Sequence, residues 1–119
     1  MIIITNNPLI RNMDYVNGEI LYYDVNIMDI LILARDRVHQ GHKLISHPLF
    51  SSVKPNENPY KTIIISKDKG KLDINGLKVI ENSISVASKF LKNSEIKCYS
   101  DEILEDFKFI DYTIISEKF

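Results

Sequence analysis

Tryptophan is absent and cysteine occurs once, at Cys98, in a chain of 119 residues. A lone thiol cannot close an intramolecular disulfide, which sets aside the cross-linked secreted scaffolds and fits a reducing compartment. Charge of one sign is lacking too. Fifteen basic residues against sixteen acidic ones leave a net charge of -1, too little for a broad electrostatic grip on nucleic acid or an anionic membrane. Long apolar runs are missing: the best candidate, ILILA, is bracketed by Asp29 and Arg35, whereas a membrane-spanning helix needs about 20 apolar residues. The opening MIIITNNP lacks the basic start and extended apolar stretch of a signal peptide. With only four glycines, the chain contains neither a G-x-G-x-x-G nor a Walker sequence. The expectation is a soluble, cytoplasmic protein with no membrane and no nucleic-acid partner.

What remains is ordinary globular composition, 45% hydrophobic and 26% charged, enough for one domain spanning 1–119 with one core. Residues 2–5 are a short β-branched run, read as a buried strand. Asn6-Asn7-Pro8 follows, a cap and first-turn proline that open a short helix over 8–13. A second strand covers 20–23. Asn26 caps a helix whose apolar positions Ile27, Ile30, Leu31, Ala34 and Val38 keep helical spacing, and Gly41 closes it. Residues 44–45 read as a third strand and 63–65 as a fourth, left through Ser66 into a polar KDKGK turn. Leu77, Ile80, Ile84, Ala87 and Leu91 mark a helix capped by Asp73 or Asn75. A last strand is expected over 96–99. Ser100-Asp101-Glu102 opens a final helix, while residues 107–119 read equally as its continuation or as an edge strand.

Strands alternating with helices predict an α/β three-layer sandwich, with a mostly parallel, Rossmann-like sheet of four to five strands flanked by helices. In such sheets ligands bind beyond the carboxyl ends of the strands. That rule gathers Asn6, Asn7, Asp24, Ser46, His47, Ser66 and Lys67 on one edge. The segment GHKLISHPLFSSVKPNENPYK, residues 41–61, would lie across it. Its later part loses all periodicity but crowds together polar groups and three prolines, as an ordered binding loop does.

Asn6, Asn7, Ser46, His47, Ser51, Ser52, Lys54 and Asn56 are therefore the candidate ligand-binding residues. The helix start at Asn7 offers free N–H groups to an anion, though an ordinary cap explains the same residues. Hydroxyls beside Lys54 suit a phosphate or carboxylate. The alternative is catalytic, with His47 acting as general base and Lys54, or the helix end at Asn7, holding an anion. His39, His42 and His47 do not show zinc-ligand spacing, and no cysteine or carboxylate completes a set, so no metal and no cofactor are expected. Cys98 reads as a small buried hydrophobe.

Three blocks, MIIITNNP, GHKLISHPLFSSVKPNENPYK and LDINGLKVIENSI, resemble the GrdX family, whose members are small proteins encoded beside glycine reductase and related amino-acid reductases of fermentative anaerobes. The resemblance covers essentially the whole chain. It implies a cytosolic accessory or regulatory role near selenium- and thiol-dependent reductases, and it brings no catalytic residues to carry over. The combined expectation is an accessory protein that binds a glycine reductase-type subunit or a small anionic metabolite through the 41–61 loop. A small enzyme acting on an anionic substrate is the alternative. Homodimer formation through the sheet edge or the apolar segment FIDYTIISEKF is a third.

Overall fold

The computed structural model describes residues 1–13, 18–48, 59–92 and 100–118. Eight elements follow one another: β1 (Ile2–Thr5), α1 (Pro8–Arg11), β2 (Glu19–Tyr22), α2 (Ile27–His39), β3 (His42–Leu44), β4 (Thr62–Lys69), α3 (Ile74–Lys92) and α4 (Asp101–Lys118). The strand expected over 96–99 lies outside the described residues, with Cys98 in it. Residues 107–118, ambiguous in sequence, continue the last helix. Among the described residues, no helix is long and apolar enough to cross a membrane.

β1 carries no polar–apolar alternation because both of its faces are covered. Ile2 and Ile4 join a core cluster with α2 and α3, through Ile30, Leu31, Ala34, Val38, Ile80 and Ala87. Ile3 points the other way, into a smaller cluster with Ile10 and Ile115. β4 repeats the division: Ile63 and Ile65 enter the first cluster, Ile64 the second. The two central strands thus form the middle layer, and all six isoleucines are 4% exposed or less.

The sheet is open, with strand order β2-β1-β4-β3. β1 and β2 are parallel, but β4 runs antiparallel to β1 and to β3. The mostly parallel, Rossmann-like sheet expected from the sequence is therefore corrected to a mixed one of four strands. Parallel neighbours require a crossover between them. β3 and β4 instead pair directly with each other, so the long segment joining them reverses the chain. β4 also continues through Lys69, and the KDKGK stretch read as a turn is half strand. A register shift between His42 and Leu44 accommodates the extra length. Ser66 organises it: its hydroxyl accepts from Lys43 N at 2.7 Å, and its carbonyl accepts from His42 Nδ1 at 2.7 Å.

The helix ends follow local chemistry closely. Asn26 Oδ1 accepts from Asp29 N at 2.9 Å, satisfying one of the donors a helix start leaves open. Asp73 caps α3, accepting from Gly76 N at 3.0 Å. After α2 the chain turns at Gly41, whose φ of 109° L side chains rarely adopt. There Gly70 N donates to Gly41 O at 2.9 Å, and a Cβ on Gly41 would come within 2.8 Å of Gly70 O. Gly41→Ala should therefore cost about 1–3 kcal/mol. Urea unfolding should show a lower midpoint at unchanged slope; an unaltered midpoint would mean that the turn relaxes freely.

Candidate functional site

β1, β2 and β3 share one direction, so their carboxyl ends lie on the same edge of the sheet, where antiparallel β4 begins. Asn6, Asn7, Ser46 and His47 stand at that edge as expected. Ser66 and Lys67 do not. They lie within β4 on its way to the opposite edge, and Lys61 and Thr62, at its entry, take their place.

Two layers make up the edge, and the inner one is buried. Thr5 and Thr62 are cross-strand partners, with hydroxyl oxygens 2.8 Å apart. Thr62 Oγ1 donates to Asp111 Oδ2 at 2.7 Å. Its single proton is thereby used, so the Thr5 hydroxyl donates to Thr62 while accepting from Asn7 N at 3.0 Å. Asn7 Nδ2 adds a second donor to Asp111 Oδ2, at 3.0 Å, and also reaches Lys108 O at 2.9 Å. Apart from the bond to Lys108 O, every bond in this relay points toward the carboxylate, the arrangement in which neighbouring hydrogen bonds reinforce one another. Thr5, Asn7, Thr62 and Asp111 are 2% exposed or less.

Asn6 performs the matching task for the backbone. Its Nδ2 donates to Val25 O and Pro59 O, at 2.8 and 2.9 Å, and its Oδ1 accepts from Lys61 N at 2.8 Å. Beside it the Lys61 side chain is wholly buried. Burial pulls the Lys61 ammonium down from 10.5 to about 8, against the opposing attraction of Asp111. Burial also bars direct contact of Lys61 with a dissolved ligand in this conformation.

The outer layer is an open groove of about 370 Å³ between the end of β3 and the start of α3, lined by Lys43, Ile45, Ser46, His47, Asp73, Asn75 and their neighbours. Asp73 divides its carboxylate between two tasks. Oδ1 caps α3, and Oδ2 accepts from Leu44 N on the edge strand at 3.1 Å. The positive end of α3 is thus neutralised from within the chain. Ile45 (39% exposed) lies in the groove, and Leu72 (45%) and Ile74 (52%) flank Asp73 in sequence.

Of the residues singled out by sequence, Asn6, Asn7 and Ser46 are buried and bonded within the fold. Ser46 Oγ accepts from Ile64 N at 2.8 Å, extending the β3–β4 ladder. Asn7 is an ordinary cap: its Oδ1 takes Leu9 N at 3.1 Å, and α1 is a single turn. His47 is exposed in the groove. Ser51, Ser52, Lys54 and Asn56 lie outside the described residues. The three histidines diverge, with His39 3.5 Å from Glu81 on the α2–α3 surface and His42 bonded to Ser66 O. Among the described residues, no three His, Cys, Asp or Glu side chains converge as a metal site would need. Sequence reasoning missed Lys61, Thr62 and Asp111. The signal for Asp111 was a carboxylate inside the apolar run FIDYTII; for Lys61 none existed once β4 was taken as parallel.

The chain belongs to the family described as GrdX-like protein, which it matches over residues 2–119. No curated protein and no solved structure matches it.

The buried lysine gives the fold a pH signature. Below about 8 the amine is protonated in the folded and unfolded chains alike, and burying that charge destabilises the fold. Between about 8 and 10.5 only the unfolded chain holds the proton, so stability rises with pH. The full span is worth up to about 3 kcal/mol. Urea unfolding of the wild type should show this rise between pH 7 and 10 relative to Lys61→Met. Parallel pH profiles for the two proteins would show that Lys61 titrates as an exposed lysine does.

Proposed function

From membership in the GrdX-like protein family we propose that the chain is an accessory or regulatory binding protein of glycine reductase systems, acting in the cytoplasm by docking a reductase-type subunit on the groove edge. The openness of the groove carries this reading. Sites for small molecules enclose most of their ligand's surface, whereas this depression is open and lined by the exposed Ile45, with exposed Leu72 and Ile74 next in sequence to its lining residue Asp73. Apolar side chains around a polar centre, on a rigid base, suit a protein surface.

Lys43 and His47 bring two basic side chains to the groove, so a small anionic metabolite is the second occupant to test. General-base catalysis by His47 gains less support, because such groups work best where water is excluded and His47 is exposed.

Ile45→Glu combined with Leu72→Glu should weaken capture of purified reductase subunits at least tenfold, about 1.4 kcal/mol. The melting temperature should barely move, because both positions are on the surface. Lys43→Ala with His47→Ala should leave subunit capture largely intact but abolish any calorimetric signal with small carboxylates or phosphate. Undiminished capture by the glutamate variant would remove the groove from the reading.

A further inference from the structure

The two edge strands of the sheet are built differently. β3 is guarded: its ladder to β4 shifts register, it carries the exposed Lys43, and Asp73 Oδ2 holds its Leu44 N. Such features block edge-to-edge pairing. β2, at the other end of the strand order, has none of them. Its residues Glu19-Ile20-Leu21-Tyr22 include no proline and no lysine, and they pair with β1 in an unbroken register. Glu19 N donates to Met1 O at 3.0 Å and Tyr23 N to Thr5 O at 2.9 Å, so residues 19, 21 and 23 turn their peptide groups toward β1. Alternation then directs the N–H and C=O of Ile20 and Tyr22 away from the sheet. Among the described residues these four groups have no hydrogen-bond partner. The Tyr22 ring already carries the Arg11 guanidinium, 4.7 Å from its centre, so it is the backbone that stands open.

We propose that β2 is the seam of a homodimer in which two copies join antiparallel about a two-fold axis at Leu21, forming one continuous sheet. A row of open peptide donors and acceptors recognises another extended strand, and β2 is itself a strand that fits. An isologous interface needs such self-complementarity. With Leu21 opposite Leu21 of the second copy, Ile20 of each chain faces Tyr22 of the other. Each of these two pairs exchanges both of its N–H···O=C bonds, so every outward group on both strands is used. The same register makes two β-branched–aromatic side-chain pairs, a favourable combination across strands. Leucine meets leucine at the axis on the opposite face. Charge agrees with this direction. Glu19 is the only charged residue of β2, and here it stands opposite Tyr23, with the two carboxylates at opposite ends of the seam. A parallel, in-register pairing would set Glu19 against Glu19. The groove lies at the β3 edge and plays no part in this pairing, so either reading can fail without the other.

Sedimentation equilibrium over roughly 1 µM to 1 mM tests it, since so short a seam makes a small interface whose dimer should dissociate in that range. The expected result is a reversible monomer–dimer equilibrium. Amide hydrogen exchange, read residue by residue in nuclear magnetic resonance spectra, should slow several-fold at Ile20 and Tyr22 as concentration rises through the transition. Leu21 and Tyr23, bonded to β1, should exchange slowly throughout. Tyr22→Pro removes the outward N–H without touching the β1 ladder, whereas Tyr22→Ala keeps it, and both lose the ring. The proline variant should therefore dimerise at least tenfold more weakly than the alanine variant, because each dimer loses two bonds. A monomer at every concentration overturns the proposal. So does a dimer whose exchange at Ile20 and Tyr22 does not change with concentration, and this wild-type readout decides alone if the proline variant does not fold. A monomer in which those two amides slow only on adding a purified reductase subunit would assign the edge to a strand of that subunit and overturn the homodimer.

Discussion

The buried carboxylate of Asp111 is the point on which the architecture depends. Three segments far apart in the chain meet there: the exit of β1 at Thr5 and Asn7, the entry of β4 at Lys61 and Thr62, and the middle of α4. A carboxylate taken out of water is costly unless donors replace its hydration. Here two donors converge on Oδ2 and a buried cation stands near. Of α4, only Ile115, with Tyr112 packed against it, belongs to the smaller core cluster among the described residues. Apolar contact alone would leave the helix free to slide or rotate on the sheet. Directional bonds to Asp111 fix both movements.

The same economy governs the other sheet edge. β3 is an edge strand, and edge strands invite unwanted pairing through their open backbone groups. Asp73 answers this with the carboxylate that caps α3, holding Leu44 N with the oxygen left over. The close approach leaves no room at Gly76, where a Cβ would sit 3.1 Å from the Leu44 Cβ and collide with Asp73 itself. Groove, helix cap and edge protection are thus one constellation, positioned where the chain emerges from β3 toward Ser46 and His47.

Much of the local structure was legible in the residues. Asn26 as cap, Gly41 as helix stop, the helix start at Asn7 and the buried runs at Ile2–Thr5 and 63–65 all follow from short-range chemistry, and each stands where expected, although the helix expected over 8–13 ends at Arg11. The candidate site was legible only in part. Asn6, Asn7, Ser46 and His47 were placed on the correct edge, yet three of them turned out to bond within the fold, because a polar residue leaving a strand satisfies backbone groups as readily as it meets a ligand. Ser66 and Lys67 were misplaced, and Lys61 was overlooked, for one shared reason: the direction of β4 was inverted.

That error marks the division between what the sequence determined and what tertiary structure decided. Capping, helical spacing and the absence of alternation in β1 are written within a few residues of where they act, so the chain alone determined the helix starts and the buried runs of β1 and β4. Strand direction is settled by pairing between residues up to 63 positions apart, as between Ile2 and Ile65, and a four-residue apolar run packs equally well in either sense. Only the assembled sheet chose the antiparallel one. With it came the meeting of Thr5 with Thr62, the burial of Lys61 and the need for a carboxylate at Asp111, since an isolated lysine or aspartate becomes a matched pair only once the strands that carry them lie side by side.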